Sequence, residues 1–347
     1  MDVRLSAEQE ALRDAAAQVV DRLGVHVVAE LDDRERSAKL DAAVSASGWR
    51  ELRTATDDGT PWASAVEVAV VAEELGRGLA DTAFLGATMA AELRRRVGVP
   101  TATGTETVAL TADLAQFATA ENGKVPPGSV AIDAHAAASA LVLEGAAHGY
   151  TIGRAALAGE AVGIDLTRPT ATWRTPAAVT AVDGQSRSLH PDDLATWRSL
   201  GLAVTSADLV GVMRGALTLT SDYARDRRQY GAAIGSFQAV QHLLADAFVA
   251  MEGSRSIALH AAWAVDALAG PAALSAASAA KAYCARAARS VCETAVQVHG
   301  GVGNTWDCLA HVFLRRALLS GDVLGGVGPN LTRVLAARGI GGDRGLR

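Results

Sequence analysis

Three arginines, two tyrosines and two glutamines crowd into one short stretch: Tyr223-Ala224-Arg225-Asp226-Arg227-Arg228-Gln229-Tyr230-Gly231, continued by Ile234, Phe237 and Gln238. Guanidinium forks in this number can gather an oxyanion, phosphate above all, through paired charge-assisted hydrogen bonds. The same residues also suit a helix end, where cations meet the negative terminus, Gly231 takes a left-handed cap and the aromatics pack. Spacing alone leaves both open.

A second stretch, Gln297-Val298-His299-Gly300-Gly301-Val302-Gly303-Asn304-Thr305, closes a helical segment with a loop of three glycines. With no side chains in the way, backbone N–H groups there can approach a phosphate closely. A helix stop followed by a tight turn would use the same residues. The dinucleotide fingerprint G-x-G-x-x-G does not apply, because that motif follows a strand and this run follows a helix. His299 reads as a hydrogen-bonded structural histidine ahead of a base, and His242, His260 and His311, in helical apolar contexts, read as structural.

The elements that must position these stretches follow from composition and periodicity. Of 347 residues, 50% are hydrophobic and 20% charged, which excludes wholesale disorder; only 4% are aromatic, which favours helix over sheet. Residues 1–99 read as a helical domain. Ser6 with Gln9 forms a capping box that opens a helix to Val20, a strong helix covers 65–75, and another over 82–97 ends in Arg94, Arg95 and Arg96. Residues 100–189 read as a small β domain, with short strands over 107–111, 139–144, 150–152 and 178–182 set between Gly, Pro, Asn and Asp. Residues 190–338 return to long helices over 202–228, 237–268 and 272–299, and 339–347 reads as a frayed tail. The fold class is α+β, with a sheet domain between two helical ones.

A net charge of -6 argues against nucleic acid as a general partner. No apolar run approaches the roughly 18 residues of a membrane span, and the start, MDVRLSAEQEALRD, has no signal-peptide core, so a cytoplasmic protein without a membrane partner is expected. Cys284, Cys292 and Cys308 are odd in number and lack metal-like pairing, so they read as buried or idle thiols, and no metal is expected.

Taken in order, these pieces resemble the acyl-CoA dehydrogenases. The arginine stretch matches the family's Y-x-x-x-R-x-x-F-G…F-Q pattern, with Tyr230 in the usual Phe place. The glycine loop matches its Q-x-x-G-G-x-G-x-T pattern, and Glu73-Glu74-Leu75-Gly76-Arg77 looks like its E-E-L-G-R helix. The resemblance covers nearly the whole chain, thinning in the middle. It implies an N-terminal helical domain, a middle β domain and a C-terminal four-helix bundle. It also implies FAD: Arg227 and Gln238 would reach the flavin dinucleotide of a neighbouring subunit, Tyr230 would stand beside it, and Gln297, Gly300 and Gly301 would lie along its adenosine diphosphate end. A dimer of dimers and an electron-transfer flavoprotein as electron acceptor come with the resemblance. Residues 303–307 and 315–317 look like the small actinobacterial members, which act on steroid side chains or unusual acyl groups. Many of those are two-protein heterotetramers, in which one subunit holds base and flavin ring and the other supports the cofactor's far end.

The sequence departs from the family at the reacting centre. A carboxylate must take the α-proton of the acyl-CoA thioester while the β-hydride passes to the flavin. In most members that Glu aligns close to Leu324, and in the isovaleryl type close to Gly201; neither position carries a glutamate. Asp322 is the nearby acid, one methylene short and out of register, and an ångström of misplacement matters for proton transfer. The T-E-P-x-x-G-S-D stretch survives as a trace in Leu110–Leu114, and Trp173 lacks the Ile-Thr or Ile-Ser that follows the family's flavin-shielding Trp. The resemblance therefore implies a subunit of an FAD-dependent acyl-CoA dehydrogenase that helps hold FAD across an interface, with the base supplied by a homologous partner chain. The alternatives are a self-sufficient homotetramer using Asp322, a flavin-free structural subunit, and a member diverted to a non-redox reaction such as hydration.

Overall fold

The chain enters its first helix, α1 (Ala7–Leu23), through the capping box: Ser6 Oγ accepts from the Gln9 N–H at 3.3 Å, and the Gln9 side chain accepts from the Ser6 N–H at 3.0 Å. The computed structural model describes residues 4–157 and 163–340, so the predicted tail lies, over 341–347, outside the described residues. Three more helices complete the N-terminal part: α2 (Arg34–Ala46), capped by Asp33, then α3 (Ala65–Arg77) and α4 (Leu85–Val97). The sequence pattern gave no sign of α2, whose exposed face is charged throughout its first turns.

The middle part is one seven-stranded sheet: β1 (Glu106–Leu110), β2 (Lys124–Val125), β3 (Val130–Ala131), β4 (Ser139–Ala146), β5 (Gly149–Ala156), β6 (Ala171–Thr172) and β7 (Ala177–Ala181). Its order is β2-β7-β5-β4-β1-β3-β6, antiparallel except for the parallel β1–β4 pair. The four expected strands are present within a residue or a few. The two-residue strands β2, β3 and β6 are too short to show a period of two, so the sequence could not announce them.

The C-terminal part begins with α5 (Pro191–Asp226), which starts at a proline suited to the first helical turn, followed by Asp192 and Asp193 at the positive end of the dipole. A hairpin of β8 (Arg228–Gln229) and β9 (Ala232–Ala233) leads into α6 (Gln238–Ala267), α7 (Gly270–His299), α8 (Ala310–Asp322) and α9 (Val327–Ala337). One expectation needs correcting. α5 is long and apolar enough to cross a membrane by length and composition, although 89% of that window is buried inside the protein. It is apolar because it is the central helix, packed against α3, α6, α7 and α8.

Close backbone approach joins the N-terminal helices to the bundle. A Cβ at Gly211 on α5 would overlap the Glu73 carbonyl oxygen and stand 2.7 Å from the Arg77 nitrogen. Arg214, one turn on, donates to Glu73 at 2.5 Å and to Glu74 at 2.7 Å, so the Glu-Glu pair of the motif on α3 is spent on this crossing. A second buried junction ties the flank of the sheet to the bundle. Asp208 accepts from Arg316 at 2.6 Å and from Ser320 Oγ at 2.6 Å, with Arg168 3.5 Å away. Burial would raise the Asp208 carboxyl, but Arg168 and Arg316 outweigh it and hold the pKa below the usual range. Lys281, fully buried, donates to the Ser320 carbonyl and is pushed down to about 7 by burial, against the pull of Asp208 and Asp322.

Replacing Gly211 by alanine forces α3 and α5 apart, because backbone atoms, not flexible side-chain ends, stand in the way. The expected cost is about 1–3 kcal/mol in urea unfolding, whereas Gly104→Ala, with nothing within 4 Å, leaves the midpoint unchanged.

Candidate functional site

α5, α6 and α7 run out, back and out again, so the C-terminal ends of α5 and α7 share one end of the bundle with the N-terminus of α6. Both singled-out stretches lie there. Helix α5 ends at Arg227, whose N–H donates to the Tyr223 carbonyl at 2.8 Å and whose carbonyl accepts from the Ile234 N–H at 2.8 Å. Gly231 does not cap the helix, as local spacing suggested. Tyr230 (φ +53) and Gly231 (φ +79) instead form the two-residue turn between β8 and β9, where left-handed backbone is needed at both positions. Nor does Tyr230 pack inward: it is 95% exposed, and its ring meets the edge of Phe237 with ring centres 6.4 Å apart.

The two stretches touch through their rings. Tyr223 stacks on His299 with centroids 4.3 Å apart and planes at 23°. His299 is buried and its Nδ1 pairs with the Ala295 carbonyl at 2.8 Å, the structural role expected of it. Helix α7 then stops at Gly300, and a short 3₁₀ turn runs from Gly300 to Asn304. A Cβ at Gly300 or Gly301 would meet nothing within 4 Å, so the backbone of this loop is open to a ligand. Arg227, Gln238 and Gln297 are exposed as well. No hydrogen bond or ion pair of the Arg227 guanidinium occurs among the described residues, whereas Arg225 pairs with Asp222. The N-terminus of the 30-residue helix α6, beginning at Gln238, adds its positive dipole end to the same surface.

The two places where a carboxylate base was sought also meet, at the other end of α5. A Cβ at Gly201 would overlap Leu324 Cδ1 and stand 2.6 Å from Met89 Cε. Leu324 is 0% exposed and left-handed (φ +62), and its N–H donates at 2.8 Å to the carbonyl of Leu114, itself at φ +59. Such conformations cost about 1–3 kcal/mol each, so the contact holding them is firm. Trp197 donates to the Met89 carbonyl at 3.0 Å and stacks on Phe117 at 4.6 Å, continuing the same apolar packing to the trace of the T-E-P stretch. Asp322 is exposed at the end of α8, and its charge acts on Lys281 and Arg289 of α7. Positions 201 and 324 were legible in the sequence; Met89, which fills the space between them, carried no signal there. The three cysteines are buried and free, and burial pushes Cys284 up to about 12, which disfavours its thiolate.

A carboxyl placed at 324 would have its pKa raised by burial, so the folded state would bind its proton more tightly than the unfolded state does. Leu324→Glu is therefore expected to cost about 3–5 kcal/mol at alkaline pH, shrinking as pH falls from the raised folded-state pKa towards the ordinary Glu value near about 4.3, below which the charge penalty is gone. Urea unfolding of both proteins at acidic and alkaline pH reads this; a variant as stable as wild type at alkaline pH would show that the space is not filled.

A family model described as the C-terminal domain of acyl-CoA dehydrogenase matches residues 201–338. The acyl-CoA dehydrogenase IpdE2 of Mycolicibacterium smegmatis is 32% identical over 279 residues, 78% of this chain and 78% of that protein. Among solved structures, the ChsE4–ChsE5 complex from Mycobacterium tuberculosis superposes with a TM-score of 0.76 at 25% identity, covering 98% of this chain and 99% of that one. Butyryl-CoA dehydrogenase from Megasphaera elsdenii superposes with a TM-score of 0.71 at 17% identity, over 97% of this chain and 100% of that one, a likeness of fold.

Proposed function

The chain belongs to the acyl-CoA dehydrogenase family, and on that premise we propose that it is the non-catalytic subunit of an FAD-dependent acyl-CoA dehydrogenase. In this reading it holds the far end of FAD bound chiefly by a homologous partner chain, and the partner supplies the base. The observation that carries the reading is the filled space at Gly201, Met89 and Leu324. A base acts only within hydrogen-bond reach of the proton it takes. Here both positions that could bring a carboxylate to the α-carbon are apolar, and they touch each other.

The bundle end fits the diphosphate of FAD. Arg227 offers a guanidinium with no partner among the described residues, Gly300 and Gly301 offer backbone N–H groups with open space before them, and Gln238 and Gln297 offer carboxamides at the rim. A dianion is best met by such a mixture of fork and backbone donors. Tyr230, standing out on the hairpin, would cover the cofactor's edge. Bound FAD supplies the acceptor for the hydride that leaves the β-carbon of the acyl thioester. This chain's residues hold and orient, and they move no proton.

An exposed apolar surface supports assembly with a second chain. Phe237, Leu243, Phe248 and Val249 stand 39%, 40%, 54% and 69% exposed along the first half of α6, beside the arginine stretch. The likeness to the two-protein ChsE4–ChsE5 complex agrees with a homologous partner. Steroid-derived or other unusual acyl-CoA thioesters are the substrate class proposed for the assembled enzyme, with an electron-transfer flavoprotein as its acceptor.

Co-purification with the partner tests the reading. Arg227→Ala is expected to weaken FAD retention by about tenfold or more, the worth of a charge-assisted pair, with Arg225→Ala and Arg228→Ala losing far less. The chain purified alone should bind FAD weakly and show no dehydrogenase turnover. Turnover by the lone chain that disappears in Asp322→Asn would overturn the proposal.

A further inference from the structure

Lys281, midway along α7, is fully buried, yet it has no ion pair among the described residues. The buried arginines do: Arg36, Arg50, Arg53, Arg94, Arg168 and Arg316 each meet a carboxylate. Lys281 has one hydrogen bond there, from Nζ to the Ser320 carbonyl on α8. An ammonium brings three N–H donors, and a single acceptor leaves two of them bare in the interior. An uncharged amine asks less of the same place. Burial first, helped by the charge of Arg168, pushes the pKa down to about 7, against the pull of Asp208, Asp322 and Cys284.

The charged groups around Lys281 come from several elements. α5 supplies Asp208, α8 supplies Arg316 and Asp322, and the segment ahead of β6 supplies Asp165 and Arg168. Asp133, which caps α4 through the Phe84 and Gly86 N–H groups, acts on Arg168 as well. α6 meets this stretch of α7 through Ser254 at Cys284, and its Arg255 turns to Glu73. On α9, Arg333 turns to Asn330 and the Leu324 carbonyl. The meeting point is Ser320. Its carbonyl takes Lys281, its Oγ accepts from Arg168, and the same Oγ donates to Asp208 at 2.6 Å. Arg168 also reaches Asp165 at 3.1 Å and Asp208 at 3.5 Å, and Thr167 Oγ1 accepts from Arg316 at 3.1 Å. These bonds dock residues 165–168 on α5 and α8. A proton on Lys281 sets a second cation beside Arg168 on one serine, and draws Asp208 away from the guanidinium.

We propose that Lys281 stands as an uncharged amine above neutral pH and that its protonation loosens residues 165–168 from α8, a proton-operated latch between the sheet domain and the bundle. Linkage fixes the direction. An amine released to water holds its proton up to about 10.4. Between about 7 and that value, opening the latch takes up a proton, so the closed form firms as pH rises and is loosest below the window. The latch uses neither flavin nor a partner chain, and it stands apart from the subunit role.

Carbon-13 NMR at lysine Cε reads the amine directly in the full-length chain, because its lysines are Lys39, Lys124 and Lys281 and the first two are exposed. Lys39→Arg and Lys124→Arg, both on the surface, assign the remaining signal. Lys281 is expected to titrate near about 7, well below the other two near about 10.4. Removing the competing cation in Arg168→Met should move that titration upward by about one unit or more. Amide exchange over residues 163–172, corrected for the intrinsic rate, should slow several-fold for each unit between about pH 7 and 9, with about tenfold the limit for one proton. Lys281→Met should abolish that dependence. Thermal melts confirm that each variant is folded, and the wild-type titration decides by itself where one is not. Titration of Lys281 alongside Lys39 and Lys124, a titration unmoved in folded Arg168→Met, or an unchanged pH dependence of exchange in folded Lys281→Met would each overturn the proposal.

Discussion

A carboxylate can take a proton from a bound thioester only where side chains leave room for both. In this chain the room is occupied. Leu324, fixed in a left-handed conformation by its hydrogen bond to Leu114, meets Met89 over the bare α-carbon of Gly201, and the stack of Trp197 on Phe117 extends that packing into the sheet domain. Those contacts belong to the large apolar cluster that joins α3, α4, α5 and the sheet. Placing a carboxylate at 201 or 324 would cost the chain part of this core, since interiors are packed near crystal density. The proposed role follows from that closure: if the base comes from a partner, the contribution of this chain lies at the opposite end of α5.

That opposite end is organised differently. Arg227 and the glycines of the loop face outward, Arg227 without an ion pair among the described residues, and their placement relies on two rings, Tyr223 on α5 and His299 on α7, pressed together at 4.3 Å. The stack is possible because α5 and α7 run side by side over most of their length, and α5 keeps its position through the glycine crossing with α3 and the buried Asp208 junction. Rigid helices thus carry a surface that, in the proposed reading, is completed by another molecule, the arrangement expected of a site shared between subunits.

Much of this was legible in the sequence. Capping at Ser6, the long helical periods and the breaks at Gly and Pro located the helical parts and the four longer strands, because those signals are local. The arginine and glycine motifs picked out the residues that lie at the bundle end, and 201 and 324 were seen to carry no glutamate. Other features depend on contacts between distant residues and were not legible. Nothing in the spacing of Met89 says that it fills the gap between two positions more than a hundred residues away. Gly231 read as a helix cap because the turn that needs it, with Tyr230 beside it in the same left-handed region, forms only once β9 folds back on β8.

The central claim, that this chain has no dehydrogenation centre of its own and lends its bundle end to a partner's cofactor, makes the number of flavins decisive. Absorbance of released FAD, set against the mass and subunit composition of the purified complex, gives that number directly. The account predicts one flavin for each partner chain and none in excess, so half as many flavins as chains in an equal assembly. One flavin for every chain of both kinds would contradict it.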